Sequence, residues 1–392
     1  MPEWMKMGDE IGPQSIFHVC DPAVGMKGVV VVDTTIFGMA SGGTRMLPDI
    51  TTEEISWLAR AMTHKFATLD VQQGGAKAGI WADPSIQREQ RDAILRAFGR
   101  AVRPLLSEGM VRLGADMGTD AKDVAMIREG AGLPPSTSTG LHQEAGEDPI
   151  GDQATAYGVT VAAKSACEFA GIELKGATVA IEGFGKVGGC AARLMDEEGA
   201  NVVAISTING MVYNENSLDV GKLLDARRKH GDMAIQDYED VQHIEKEAIY
   251  FLPVDVLVPG ARCHVIDKSN VSRIQAKVIS SLANVPVTDE AVEILFQRGI
   301  HFVPDFISNL GWFVPWFINT IGGTTDDVFK GLRELIGPLT HDILTDSRKE
   351  GTSPRSLAVS RNKEKVLRLR ATKEPPVSTD EFIKTYKQRL KI

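Results

Sequence analysis

A strand, a glycine turn and a helix in immediate succession restrict the fold more than any other feature of this chain. Ala177-Thr178-Val179-Ala180-Ile181 is a short apolar, β-branched run. Gly183-Phe184-Gly185-Lys186-Val187-Gly188 follows it as GxGxxG, and Val187–Glu198 reads as a helix. GxGxxG alone is a weak pattern; its position between a strand and a helix gives it meaning. The first glycine serves the tight turn, the second lets backbone approach a pyrophosphate, and the third allows close helix–strand packing. The amides that open the helix add donors and positive dipole for phosphate. The expected ligand is a nicotinamide dinucleotide held by Gly183, Phe184, Gly185, Lys186, Val187 and Gly188. The plainer alternative is a structural glycine turn.

The surrounding pattern agrees with that unit. A helix over about Ala156–Ala170 precedes it, and Asn201–Ser206 is the next strand. Short apolar runs at Val254–Val258, Val278–Ser281 and Ile300–Val303 are separated by helical segments. Strands alternating with helices predict a parallel, doubly wound sheet. Upstream, Gly28–Asp33 reads as a buried strand. Thr52–Leu69 reads as a helix, with Ile55, Leu58, Ala59, Met62 and Phe66 on one face. Thr51 and Glu54 suit a capping box before it, and Arg91–Val102 suits a second amphipathic helix. Gly74–Ile80 reads as a glycine-rich loop. Leu133–Asp152 is rich in Pro, Ser, Thr and Gly and reads as an interdomain connection or cleft loop. The predicted fold class is α/β: an N-terminal α/β substrate domain over 1–148 and a C-terminal Rossmann-type doubly wound dinucleotide-binding domain over 149–325. Helices over 326–392 are expected to pack back on the first domain.

Composition sets limits on the partners. A chain of 392 residues suits two domains. Its 43 basic against 52 acidic residues give a net charge of −9, which argues against a general nucleic-acid surface. No stretch is long and apolar enough for a membrane span, and the N-terminus has no signal-peptide core, so a cytoplasmic location is expected. Cys20, Cys167, Cys190 and Cys263 are far apart and form no CxxC pair. Buried, reduced thiols are expected, and no metal site.

Two lysines suggest chemistry. Lys77 lies in Gly74-Gly75-Ala76-Lys77-Ala78-Gly79-Ile80, twelve residues after Lys65. A lysine in a tight, partly dry site shifts its pKa readily and can serve as a base; the plainer reading is a surface lysine beside a turn. The strand that follows the glycine turn ends Ser206-Thr207-Ile208-Asn209, without the acidic residue that holds ribose hydroxyls. Its absence removes repulsion against a 2′-phosphate, and Thr207 offers a hydroxyl. This favours NADP, or dual use, over NAD alone; hydroxyls and backbone serving NAD is the alternative.

Several stretches, in order and spacing, resemble the glutamate/leucine/phenylalanine/valine dehydrogenases from about Val29 to Gly322. They are Asp33-Thr34-Thr35 with Ser41-Gly42-Gly43-Thr44-Arg45-Met46, Met62-Thr63-His64-Lys65, Gly74-Gly75-Ala76-Lys77, Ala115-Asp116-Met117-Gly118-Thr119, Thr155-Ala156-Tyr157-Gly158-Val159, and Pro304-Asp305 through Asn309-Leu310-Gly311. The resemblance implies an NAD(P)-dependent amino-acid dehydrogenase and a homo-oligomer whose contacts come from the first domain. It implies that Lys65 binds the substrate α-carboxylate and that Lys77 is the base, its pKa lowered by a closed site and a neighbouring cation. Asp116 would relay protons to and from the amino group. Gly42, Gly43, Ser41 and Trp312 would meet the substrate, Asn309 the substrate or the nicotinamide amide, and Thr155, Thr207 and Asn284 the dinucleotide. Asp116 capping a helix that starts near Asp120 is the structural alternative.

Three departures bear on specificity. Glutamate enzymes of the family carry a lysine where this chain has Ser41, so a glutamate side chain would lack its charge partner and glutamate should be a poor substrate. Leucine-type enzymes carry an apolar residue there. Trp312 replaces a glycine and begins a run that includes Phe313, Trp316 and Phe317; it lines a pocket for a flat or aromatic side chain, or fills core or subunit contact. Ser281-Leu282-Ala283-Asn284-Val285-Pro286 lacks the glutamate and glycine of glutamate-type enzymes. The expected activity is oxidative deamination of a neutral L-amino acid, bulky apolar or aromatic ones included, to its 2-oxo acid and ammonia, and the reverse. A glutamate dehydrogenase with a rebuilt side-chain contact and a non-catalytic regulatory paralogue remain as alternatives.

Overall fold

Apolar strands and amphipathic helices build two α/β units in the computed structural model, which describes residues 8–134, 149–236, 238 and 241–392. Among these, the first unit takes the residues before 135 together with Val359–Val377, and the second takes 149 to Ala358 with Ser378–Ile392. Most of the expected 133–152 connection, residues 135–148, lies outside the described residues.

The first unit runs β1 (Ser15–Asp21), β2 (Met26–Val32), β3 (Ala40–Met46), α1 (Thr52–Thr68), β4 (Gly74–Ile80), α2 (Arg88–Ala101), α3 (Arg103–Ser107), β5 (Val111–Ala115) and α4 (Ala121–Gly130). The sheet order is β1-β2-β4-β3-β5. β1, β2 and β4 are antiparallel neighbours, whereas β4, β3 and β5 run parallel. Val30, Val32, Met46, Ala76, Ala78 and Ile80 bury one face against Leu95 and Phe98 of α2 and Ile127 of α4. The opposite face carries α1: a Cβ on Gly75 would stand 2.3 Å from the Ala59 carbonyl oxygen and from the Thr63 amide nitrogen.

Gly74–Ile80 is therefore a buried strand and not the glycine-rich loop expected. Its glycines have little strand preference, but they are what lets α1 lie directly on the sheet. Only half of the expected capping box forms. Thr51 Oγ1 accepts from Glu54 N, while the Glu54 carboxylate bonds Arg45.

The second unit runs α5 (Ile150–Phe169), β6 (Thr178–Glu182), α6 (Lys186–Glu197), β7 (Asn201–Thr207), β8 (Gly210–Tyr213), α7 (Val220–His230), β9 (Gln242–Ile244), β10 (Val256–Val258), β11 (Val278–Ile279), α8 (Asp289–Gln297), β12 (His301–Phe302), α9 (Asp305–Ser308), α10 (Phe313–Thr320) and α11 (Thr325–Glu350); α12 (Pro354–Ala371) and α13 (Thr379–Leu390) follow. The sheet order is β12-β11-β10-β6-β7-β8-β9. It is parallel from β12 to β7, as expected; β8 and β9 add an antiparallel edge through a tight turn at Ile208-Asn209. Ala180, Ala204, Leu257, Ile279 and Phe302 of five strands pack with Ile249 and with Leu295 of α8.

The C-terminal segment divides. α11 packs along α5 and α13 against α11, both within the second unit, because α11 buries Val328, Leu332, Leu335 and Ile336 on one stripe. Only Val359–Val377 lies with the first unit. There Asn362 Nδ2 donates to the His64 carbonyl (3.2 Å) and to Thr68 Oγ1 (2.9 Å), and Val366 joins Ile11, Ile36 and Ala67. Cys20 is exposed on β1, unlike the buried thiols expected, whereas Cys167 and Cys190 are buried. Among the described residues no helix is long and apolar enough to cross a membrane.

Candidate active site

Lys77 stands in the middle of β4 and is 3% exposed; Lys65, in the last turn of the helix covering that face, is 4% exposed. The Lys77 ammonium is ion-paired with Asp116 Oδ2. Asp116 follows the last residue of β5, two strands away. Its Oδ1 accepts from Met117 N at 2.6 Å and lies 3.3 Å from Arg45 Nε. Arg45 Nη1 meets Glu54 Oε1 at 2.7 Å. Burial pushes the Asp116 carboxyl up, but the charges of Lys77 and Arg45 outweigh it and hold it well below the carboxylate range.

The turn after Asp116 is held in place by Thr119. Its Oγ1 accepts from Asp116 N at 3.0 Å and donates to the Thr44 carbonyl of β3 at 2.7 Å. Asp116 is no helix cap: Asp120 caps α4, in a capping box with Asp123. Gly43 faces Asp116, since a Cβ there would come 2.8 Å from the Asp116 Cβ. A Cβ on Gly42 would fall 1.6 Å from the Ala76 carbonyl oxygen.

Ser41 pairs with Gly75 across β3 and β4, so Ser41 and Lys77 share a sheet face and are offset by two residues, about 6.6 Å along the strands. Ser41 Oγ accepts from Gln73 Nε2. Two uncharged polar groups thus stand where a cation was the alternative. In the sequence, Arg45 stands out only as part of a motif and Gln73 not at all. Gln73 finds Ser41 only through strand pairing, which no local pattern announces.

In the second unit the glycine turn has the conformation its residues require. Gly183 adopts φ 86°, and a Cβ on Gly188 would meet the Gly183 carbonyl oxygen at 1.9 Å. Gly185 has open space where a side chain would stand, and Lys186 is exposed at the start of α6. Phe184 is buried, and the half-buried Val187 packs on the cluster of Ala156, Cys190, Ala191 and Leu194; the turn offers a ligand chiefly its backbone. Thr207 is buried, and its Oγ1 accepts from Asn209 N at 3.1 Å. Thr155 Oγ1 donates to Gly151 O at 2.8 Å in the first turn of α5.

Asn309 Nδ2 lies 3.2 Å from the Leu282 and Ala283 carbonyls and from Asn284 Oδ1. Its buried Oδ1 and the buried Ser281 Oγ have no hydrogen-bond partner, a costly arrangement unless a ligand supplies one. Open backbone at Gly185 and orphaned polar atoms fit a dinucleotide with an amide at one end. Of the aromatic run, Phe313 and Phe317 are core: they pack on Tyr386 of α13, and Phe317 also on Phe382. Trp312 is half-buried with its ring edge-on to Phe313, and Trp316 is exposed.

Known proteins match both halves of the chain. Residues 13–131 match the family described as Glu/Leu/Phe/Val dehydrogenase, dimerisation domain, and residues 146–368 match Glutamate/Leucine/Phenylalanine/Valine dehydrogenase. A glutamate dehydrogenase of Thermotoga maritima is 33% identical over 334 residues, covering 82% of this chain and 80% of the relative. Among solved structures, a hetero-hexameric glutamate dehydrogenase from Thermus thermophilus in a leucine-bound form superposes with a TM-score of 0.78 at 25% identity, covering 92% of this chain and 91% of the other. An L-tryptophan dehydrogenase from Nostoc punctiforme superposes with a TM-score of 0.61 at 25% identity, covering 92% and 98%. With both halves matched and the relatives covered over most of their length, this chain belongs to the glutamate/leucine/phenylalanine/valine dehydrogenase family of amino-acid oxidoreductases.

Proposed function

We propose that the protein catalyses NAD(P)-dependent oxidative deamination of a neutral L-amino acid to its 2-oxo acid and ammonia, and the reverse reductive amination. The observation that carries this reading is the contact between the Lys77 ammonium and the Asp116 carboxylate, on the same sheet face as the uncharged Ser41–Gln73 pair. Lys65 holds the α-carboxylate as a point charge. Asp116 accepts a proton from the α-amino group, and Arg45 keeps that carboxylate oriented. When bound, the nicotinamide supplies the redox chemistry by accepting the α-hydrogen as hydride. Lys77 must first shed the proton it holds against Asp116; as the neutral amine it takes a proton from the water that adds to the resulting imine carbon, and Asp116 returns a proton to the departing ammonia.

Ser41 and Gln73 bring no fixed charge to the substrate side chain, so a γ-carboxylate would be desolvated without a counter-charge. Two relatives bear glutamate dehydrogenase names, which keeps glutamate as the second reading; the Nostoc neighbour acts on tryptophan by its name. The backbone of Gly183–Gly188 takes the pyrophosphate. Asn309 and Asn284, with Thr155, serve the nicotinamide end, and Thr207 serves the adenosine ribose. With no carboxylate at Ser206 or Thr207, NADP is preferred to NAD. Gly42 and Gly43 admit the substrate beside Lys77, and Trp312 is a further candidate contact for its side chain. The active form is a homo-oligomer.

The test is absorbance at the reduced-nicotinamide band with twenty L-amino acids, each with NAD and NADP, at mildly alkaline pH. Turnover greatest with an apolar or aromatic amino acid and lost in Lys77→Ala supports the reading. Turnover greatest with glutamate favours the second. Silence in both directions would sink both.

A further inference from the structure

Glu182 ends β6 one residue before the glycine turn. β6 has β7 on one side and β10 on the other, so the chain's strand order reverses at this strand. Ligands of doubly wound sheets seat outside the strand ends at such a reversal. The Glu182 carboxylate spans that gap. Its Oε2 accepts from Gly260 N at 3.0 Å and from Ala261 N at 3.3 Å, both in the loop that leaves β10. Its Oε1 accepts from the Tyr250 hydroxyl. Tyr250 is buried, in a 3₁₀ segment (Lys246–Phe251) packed against β6, β7 and β8.

The two loops also touch through backbone. A Cβ on Gly260 would lie 2.3 Å from the Glu182 carbonyl oxygen, and one on Gly183 would lie 3.4 Å from the Gly260 carbonyl oxygen. A carboxylate next to a pyrophosphate site is electrostatically unfavourable, and burial pushes this one up against its hydrogen bonds. Its value to the site therefore lies in what it holds together.

We propose that Glu182 is a positioning residue for the dinucleotide, fastening the Gly260–Ala261 loop to the glycine turn through two hydrogen bonds while a third, from Tyr250, holds the carboxylate in place, so that both rims of the crevice are set before the ligand arrives. This rests on reading Gly183–Gly188 as the dinucleotide site. Presetting the rims removes an ordering cost from binding. Geometry matters here more than charge. In Glu182→Gln the amide oxygen accepts from Gly260 and Ala261 while its NH₂ donates to Tyr250, whose oxygen then accepts. Glu182→Asp keeps the charge but withdraws it by one carbon–carbon bond, about 1.5 Å. Glu182→Leu leaves the loop amides without an acceptor.

The experiment is titration of NADH and NADPH into the full-length protein, followed by nicotinamide fluorescence, for wild type and the three variants. Steady-state kinetics and thermal melts accompany it. Expected are a dissociation constant within about twofold of wild type for Glu182→Gln and about tenfold weaker for Glu182→Asp and Glu182→Leu. The amino-acid KM, and kcat at saturating dinucleotide, should be unchanged. If Glu182→Leu does not fold, Glu182→Asp carries the comparison. Wild-type affinity in Glu182→Asp, or a Glu182→Gln as weak as Glu182→Asp, overturns the proposal. A wild type that binds neither dinucleotide removes the site reading itself, and the proposal with it.

Discussion

Asp116 gathers a lysine from β4, an arginine from β3 and its own neighbour's amide onto one carboxylate. Because its pKa is lowered on folding, its stabilising contribution is complete above its ordinary value of 3.8 and is lost as pH falls through the depressed folded-state value. Denaturant unfolding of Asp116→Asn should show a deficit of about 3–5 kcal/mol at pH 7, shrinking progressively below pH 4; an undiminished deficit in acid would contradict this. Lys77→Ala should lower kcat by about 10²–10⁴-fold with the fold intact by circular dichroism. Ser41→Lys should raise kcat/KM for glutamate about tenfold relative to neutral amino acids, read in paired assays. At this scale Lys65, Lys77 and Asp116 stand out in the sequence because each sits in a short local motif. Gln73 does not, since its partner Ser41 is 32 residues away on another strand.

β4 shows how a local reading can misname an element while marking its chemistry. Gly74, Gly75 and Gly79 look like loop residues by propensity, yet the strand they form is wholly buried. Gly75→Ala should destabilise the protein by about 1–3 kcal/mol or more, because the added carbon meets α1 backbone that has no side chain to move aside; calorimetry measures this directly. The apolar spacing that marked α1 needed no partner, and the observed Thr52–Thr68 agrees with the expected span. β1, β3 and β5 left no comparable trace, since Ser, Gly and Thr in β3 make a strand only between β4 and β5. In α10, Phe313 and Phe317 read equally well as pocket or core until α13 supplied Phe382 and Tyr386. Phe317→Ala should cost about 3–5 kcal/mol.

Across the whole molecule, the second half was foreseeable as α/β from its alternating strands and helices, whereas the first showed in sequence only one strand and two helices, and the family resemblance supplied its class. The division of the C-terminal helices was not, because 326–392 reads only as charged helix, and α12, where the division falls, shows no marked apolar stripe to say which surface it covers. Asn362 and its neighbours settle on the turn of α1 that carries Lys65. Asn362→Ala should therefore raise the amino-acid KM more than it lowers kcat, an effect steady-state kinetics would resolve.

The bond from Asn362 to the His64 carbonyl joins residues 298 positions apart. A chain made from its N-terminus onward cannot finish its first unit until residues 359–377 have emerged, by which time nearly all of the second has been synthesised. The last turn of α1 must wait until Asn362 has been made, and so must the lysine proposed to receive the substrate. Nascent chains arrested before residue 359 would carry that helix end without its cover, a delay in which chaperone binding is expected.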